Sequence, residues 1–114
     1  MKSDHTLLSG NTPLLLLSLL SEGDKYGYEM IDELARRSDE TFLLKEGTLY
    51  PLLHGLEKEK FVESYIKESP SGRMRRYYHM TEAGRAQLER KTKEWLHYAD
   101  KVNAVLGFMA PASN

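Results

Sequence analysis

Between Glu46 and Glu59 the leucines fall at positions 49, 52, 53 and 56, the i, i+3, i+4, i+7 spacing of a helix with one buried face. At about 100° per residue, Gly47, Pro51, His54 and Lys58 take the opposite direction, flanked by Thr48 and Tyr50. That outer face is small near its start, so another surface can approach it closely. It also offers a hydroxyl, an imidazole and an ammonium. Pro51 removes a backbone donor, and a bend is expected there.

The pattern before this helix predicts two more. Thr12 reads as a cap and Pro13 as a first helical residue, opening a leucine-rich helix that runs to about Ser21. Ser21 to Lys25 reads as a turn. A second helix is expected from Gly27 to Arg37, with Tyr28, Ile31, Leu34 and Ala35 inward and Glu29, Asp32, Glu33 and Arg36 outward. Phe42-Leu43-Leu44 is too short for a helix and reads as extended. After the third helix, residues 61–68 and 75–80 mix β-branched and aromatic side chains. Ser69-Pro70-Ser71-Gly72-Arg73-Met74 between them is a run of turn formers. Three helices followed by a hairpin are the order of a winged helix-turn-helix.

Thr81 can cap a last helix from about Glu82 to Leu106, close to 40 Å long at ~1.5 Å per residue. Leu88, Trp95, Val102 and Met109 recur at steps of seven, with Thr92, Ala99 and Leu106 between them, a repeat suited to packing along another helix. The reading is a dimer arm; its alternative is a helix folded back on its own domain. Phe108 to Asn114 reads as a frayed tail. The expected fold is therefore mostly α with a small β-hairpin: a winged-helix domain over residues 1–80 and a C-terminal dimerisation helix and tail over 81–114.

Composition narrows the function by exclusion. A chain of 114 residues, 40% hydrophobic and 29% charged, can build one core. It has no cysteine, which removes disulfides, thiol nucleophiles and Cys-ligated metals and is compatible with a reducing cytoplasm. The first residues lack a secretory-signal pattern, and the leucine run is far shorter than a membrane span. The histidines, His5, His54, His79 and His97, have no metal-ligand spacing, and no phosphate loop or nucleophile elbow is present. No enzyme activity, metal or cofactor is expected. The net charge of −1 gives no global attraction to nucleic acid. Locally, however, residues 69–79 hold three arginines and no acid, whereas residues 21–40 hold seven acids and three bases.

Four segments taken together, Tyr26-Gly27-Tyr28-Glu29, Glu46-Gly47-Thr48-Leu49-Tyr50-Pro51-Leu52-Leu53, Leu56-Glu57 and Arg76-Tyr77-Tyr78-His79-Met80-Thr81-Glu82-Ala83-Gly84, resemble the PadR family of bacterial transcriptional regulators. The Gly-Thr-Leu-Tyr-Pro segment is the specific part. The resemblance runs from Thr12 to Leu106 and departs at Met80, where the family has leucine. It implies a cytoplasmic, dimeric repressor of a palindromic operator. The single helix after Thr81 is similar to the family's compact branch. Some members of that branch bind flat aromatic compounds at the dimer interface beside a tryptophan, and Trp95 lies in the matching region.

On this reading the third helix enters the major groove of double-stranded DNA, with Thr48, His54 and Lys58 in reach of base edges or nearby phosphates. Tyr50, Lys45, Arg73 and Arg76 grip phosphates, Gly72 lets the hairpin tip come close, and Tyr26 adds a phosphate contact. Leu88, Thr92, Trp95, Ala99, Val102 and Leu106 carry dimerisation, and Trp95 would wall a site for a small aromatic effector. The competing reading is a winged-helix protein-interaction module that does not read DNA sequence.

Overall fold

The structure, a computed structural model, describes residues 5–107. Met109 and the tail from Phe108 to Asn114 lie outside the described residues. In chain order the elements are α1 (His5–Leu20), β1 (Lys25–Tyr26), α2 (Gly27–Arg37), α3 (Glu46–Lys58), β2 (Val62–Glu68), β3 (Met74–Met80) and α4 (Glu82–Leu106).

The core lies where α1, α2 and α3 meet one face of a small sheet. Leu16, Leu17, Leu19 and Leu20 of α1, Met30 and Leu34 of α2, and Leu49, Leu53 and Leu56 of α3 are all buried. Val62, Tyr78 and Met80 close the core from the sheet. The leucine stripe of α3 therefore does what its spacing predicts, and Gly47, Thr48, Pro51, His54 and Lys58 all stay exposed. The helix is continuous through Pro51.

Two expectations about the first helices are corrected. α1 begins at least by His5, so Pro13 sits inside the helix and Thr12, at 1% exposure, is a buried side chain, not a cap. In α2 Leu34 is buried and Ile31 packs against the core as expected, but Met30 is buried and Tyr28 points to solvent. Four residues separate Met30 from Leu34, one helical turn, and Tyr28 lies almost opposite Met30 around the helix. Gly27 joins the inward side because Tyr50 lies against it.

The hairpin is in register, Val62 opposite Met80, Ser64 opposite Tyr78, Ile66 opposite Arg76 and Glu68 opposite Met74. A third strand, β1, pairs antiparallel with the other edge of β3, Lys25 opposite Tyr78 and Tyr26 opposite Tyr77, giving the order β1-β3-β2. The turn expected at Ser21 to Lys25 thus ends in a strand.

α4 starts as expected. Thr81 Oγ1 accepts from the Gly84 backbone N–H at 3.0 Å and donates to the Lys60 carbonyl at 2.7 Å. The Thr81 N–H donates to the Phe61 carbonyl at 3.0 Å. One residue thereby caps α4 and ties it to the loop between α3 and β2. α4 ends at Gly107, whose φ of 87° is the left-handed stop that glycine favours. Its first half lies along α1, with Leu88 packed on the core and Thr92 half-buried, and Ala99 beyond the midpoint is half-buried too. The upstream seam is thus partly covered within the chain. Beyond it, Trp95, Leu96, Tyr98, Val105 and Leu106 are exposed.

Candidate nucleic-acid interface

α3 presents the outer face that the leucine spacing left free. Lys45 is its N-cap, exposed, and its carbonyl accepts from the Thr48 and Leu49 N–H groups at 3.0 and 2.8 Å. Thr48, His54 and Lys58 project into solvent beside Gly47 and Pro51. Tyr50 leaves this face on one side and crosses the start of α2. A Cβ added to Gly27 would lie 2.5 Å from the Tyr50 hydroxyl oxygen. Only glycine permits that crossing, which places a phenol at the N-terminal end of α2, where backbone N–H groups point outward.

The hairpin is anchored to the same helix. Ser64 Oγ donates to Glu57 Oε2 of α3 at 2.8 Å, and Arg76 Nη1 donates to Ser64 Oγ at 3.1 Å. Arg76, read from sequence as a phosphate grip, is therefore also part of a relay that fixes the angle between wing and α3. At the tip Gly72 has φ of 90° and Arg73 is exposed. The Ser69 N–H donates to the Arg73 carbonyl and the Gly72 N–H to the Ser69 carbonyl, each at 2.8 Å. The tip is a bonded turn that holds Arg73 in place.

Tyr26 stands apart from these groups. Its ring packs edge-on to Tyr77 with centroids 5.4 Å apart, and the Arg75 guanidinium lies 4.7 Å from its centroid. Tyr65 stacks on Tyr77 at 5.7 Å, and the Lys67 ammonium lies 4.6 Å above the Tyr77 ring. These five side chains cover the sheet face turned away from α3. Lys67 and Arg75 are thus spent on aromatic rings.

Sequence reasoning missed a second cluster. Asp24, in the turn before β1, accepts from the Tyr65 hydroxyl at 2.6 Å and from His79 Nδ1 at 2.8 Å. Burial pushes the Asp24 carboxyl up, but the two hydrogen bonds outweigh it and hold the group below the usual aspartate value. Its bond to Asp24 pushes the Tyr65 phenol up to about 12. The three residues lie 41 and 55 positions apart, so no local signal announces them. On the neighbouring surface Arg37 pairs with Glu22 and Glu33, and Lys25 pairs with Glu33 at 3.3 Å. Glu22 and Glu33 are thereby paired, while the segment keeps its excess of acids over bases.

On the other flank of α3, a groove of about 1110 Å³ opens between α1, α3 and α4. Leu14 and Leu17, Leu52 and Leu56, and Trp95 and Tyr98 line it, together with Glu59, Arg90, Lys91 and Glu94. The Trp95 and Tyr98 rings are 6.0 Å apart. Trp95 is 41% exposed within one chain, so it sits at this opening and not in a closed seam. Among the described residues no cluster of metal-ligating side chains occurs, and no helix is long and apolar enough to cross a membrane.

A three-helix core, an exposed third helix and an anchored hairpin with an arginine tip define a winged-helix DNA-binding fold with a long C-terminal helix. Residues 16–90 match the transcriptional regulator PadR-like family, and the chain belongs to that family. A transcriptional regulator structure from Clostridium thermocellum is similar at TM-score 0.81 and 34% identity, covering 89% of this chain and 95% of that one. A PadR-like transcriptional regulator from Bacillus cereus is similar at TM-score 0.80 and 35% identity, covering 89% and 96%. An uncharacterised protein from Lysinibacillus sphaericus is 37% identical over 89 residues, 78% of this chain and 82% of that protein.

Proposed function

We propose that the protein is a homodimeric repressor that places α3 in the major groove of a palindromic operator and is relieved by a small aromatic ligand. The observation that carries this reading is the outer face of α3, where Thr48, His54 and Lys58 are exposed beside Gly47 and Pro51, next to the arginine-tipped hairpin. The major groove is wide enough to admit a helix, and Gly47 and Thr48 keep the start of this face small while His54 and Lys58 extend from it. Thr48, His54 and Lys58 are the base-reading or phosphate-proximal set. Lys45, Tyr50, Arg73 and Arg76 grip the backbone, with Gly72 giving the tip its approach, while Tyr26 acts from the edge of the sheet.

Dimerisation through α4 is supported by the apolar surface its second half leaves uncovered, Val105 at 86% and Leu106 at 62% exposure among it. A contiguous apolar stripe of this kind calls for a partner helix. In this reading Leu88, Thr92, Trp95, Ala99, Val102 and Leu106 form the arm, and two copies of α3 stand ~34–36 Å apart, one helical turn of DNA. The effector reading rests on Trp95 beside Tyr98 at the groove. A planar ligand gains stacking of about 0.5–1.5 kcal/mol per aromatic pair there. To release DNA it must bind the DNA-incompetent form more tightly.

A gel shift with the DNA upstream of the protein's own gene, in low and in moderate salt, tests the DNA reading. Retarded bands that survive moderate salt are expected for the wild type, and loss of preference among sites for His54→Ala. No binding at either salt overturns the repressor in favour of a protein-interaction module. Quenching of the single tryptophan by planar aromatic compounds, reduced when operator DNA is present, tests the effector site.

A further inference from the structure

The hairpin carries apolar side chains where a wing that only grips phosphates needs none. Ile66 and Met74 are 52% and 65% exposed. Side chains alternate across a strand, so Ile66 shares its face with Val62 and Ser64, and Met74 shares its face with Arg76, Tyr78 and Met80. Val62, Tyr78 and Met80 are buried on the core, and Ser64 bonds to Glu57 of α3. Ile66 and Met74 therefore continue the α3-facing side of the sheet into solvent. Ile66 lies two positions past Ser64, and Met74 is level with Glu68, four positions past it, so the two stand about 7 and 13 Å beyond the Ser64–Glu57 bond to α3.

The charges around the pair are those of an anion-facing surface. Arg73 is exposed at the tip and Arg76 stands opposite Ile66, and the acid on this face is Glu68. Lys67 and Arg75 are on the other face, held over Tyr77 and Tyr26. The tip is braced by its two 2.8 Å backbone bonds, so little flexibility is lost when it docks.

We infer that the distal hairpin is a minor-groove wedge, in which Met74, supported by Ile66, presses between base steps of duplex DNA while Arg73 and Arg76 hold the phosphates on either side. The inference rests on the DNA reading above. With α3 in the major groove, the groove next along the duplex is the minor one. It is about 6 Å wide and 7.5 Å deep, which suits an unbranched methionine flanked by cations. An apolar side chain there opens a stacked step, and the cost is lowest at flexible pyrimidine–purine steps such as TA and CA. The protein then favours such a step at a position that no polar side chain reads.

The test starts from duplexes selected by the wild-type protein out of a random pool, with 2-aminopurine then placed at successive positions of a selected site. One position flanking each half-site is expected to brighten severalfold on binding of wild type and of Met74→Leu, and not with Met74→Ser or Ile66→Ser. Changing the TA or CA step at that position to AA is expected to lower wild-type affinity about fivefold and to leave the serine variants nearly unaffected. Both residues are exposed, so equal melting temperatures are expected to show that the serine variants are folded. Tight wild-type binding with no brightened position, or equal brightening by Met74→Ser, overturns the wedge and leaves the DNA reading intact. If the wild type enriches no sequence at all, the DNA reading fails and the wedge with it.

Discussion

Gly84, in the first turn of α4, is the position where one methyl group should matter most to the fold. A Cβ built there would lie 2.1 Å from the Phe61 carbonyl oxygen, 3.0 Å from its carbon and 2.9 Å from Met80 Cγ. The methionine can swing away. The carbonyl cannot, because it accepts from the Thr81 N–H while Thr81 Oγ1 holds the Lys60 carbonyl next to it. An ordinary carbon–oxygen contact is about 3.3 Å, so α4 and the loop must separate by about 1 Å. Overpacking of this kind costs about 1–3 kcal/mol, and each weakened hydrogen bond about 1 kcal/mol more. Alanine in a helix returns at most ~1 kcal/mol. We expect Gly84→Ala to lose about 2–3 kcal/mol, a fall in Tm of roughly 8–12 °C for a chain of this size. Gly55→Ala is the control: nothing lies within 4 Å of its Cβ, so the same substitution should hold or raise Tm. Calorimetry at one fixed protein concentration reads both. A Gly84→Ala protein that melts within about 2 °C of wild type would refute the reasoning.

Arg73→Ala should weaken binding to all DNA sequences alike and reduce the slope of log affinity against log salt by roughly 0.9, whereas Tyr50→Phe should weaken binding and leave the slope unchanged. A salt titration by fluorescence anisotropy measures both, and an unchanged slope for Arg73→Ala removes that residue from the phosphate contacts. Val102→Glu should turn a dimer into monomers in sedimentation at micromolar concentration, since it buries an unpaired charge; a wild type that is itself a monomer ends the idea. Asp24 is held below its ordinary value of 3.8, so its contribution to stability is present above that pH and is lost as pH falls through the folded value. The stability gap between wild type and Asp24→Asn should therefore shrink as the medium is acidified, and a gap that widens in acid contradicts the Tyr65 and His79 bonds. The same variant should let Tyr65 ionise below its present value of about 12.

The long elements were legible because each carries its own instructions. α2 and α4 run over the residues their patterns predict, α4 because Thr81 supplies a cap and the seven-residue steps run on behind it. α3 was readable even to its solvent face, since four leucines determine where everything else must point. β1 was not readable: two residues have no period, and Lys25-Tyr26 is a strand only because β3 has a free edge beside it. Thr12-Pro13 looked like a helix start, yet the helix continues upstream and uses Thr12 as core. Helical spacing puts Tyr28 on the inner side with Ile31, Leu34 and Ala35, but Met30 is the buried residue and Tyr28 is exposed. Of the interface, the residues on α3 and at the wing tip follow from local pattern. The Glu57–Ser64–Arg76 relay and the Asp24 cluster depend on strand register across the sheet, which local pattern does not determine.

The third strand also sets an order of assembly. β2 and β3 are neighbours in sequence and close as a hairpin, a microsecond event. β1 must wait, because Lys25 finds its place opposite Tyr78 only after most of the chain between them has been made. Closing so large a loop carries an entropic cost that a two-residue strand cannot repay by itself. The bonds from Tyr65 and His79 to Asp24 act on the same joint and fasten it from β2 and β3 at once. On a ribosome, α2 and α3 would cover part of the α1 leucine face, but that face would be closed only when the wing and α4 arrive. The same reach across the chain makes the wing a reporter of completeness: a product truncated before Tyr77 and Tyr78 has neither the sheet nor the anchored hairpin that braces α3.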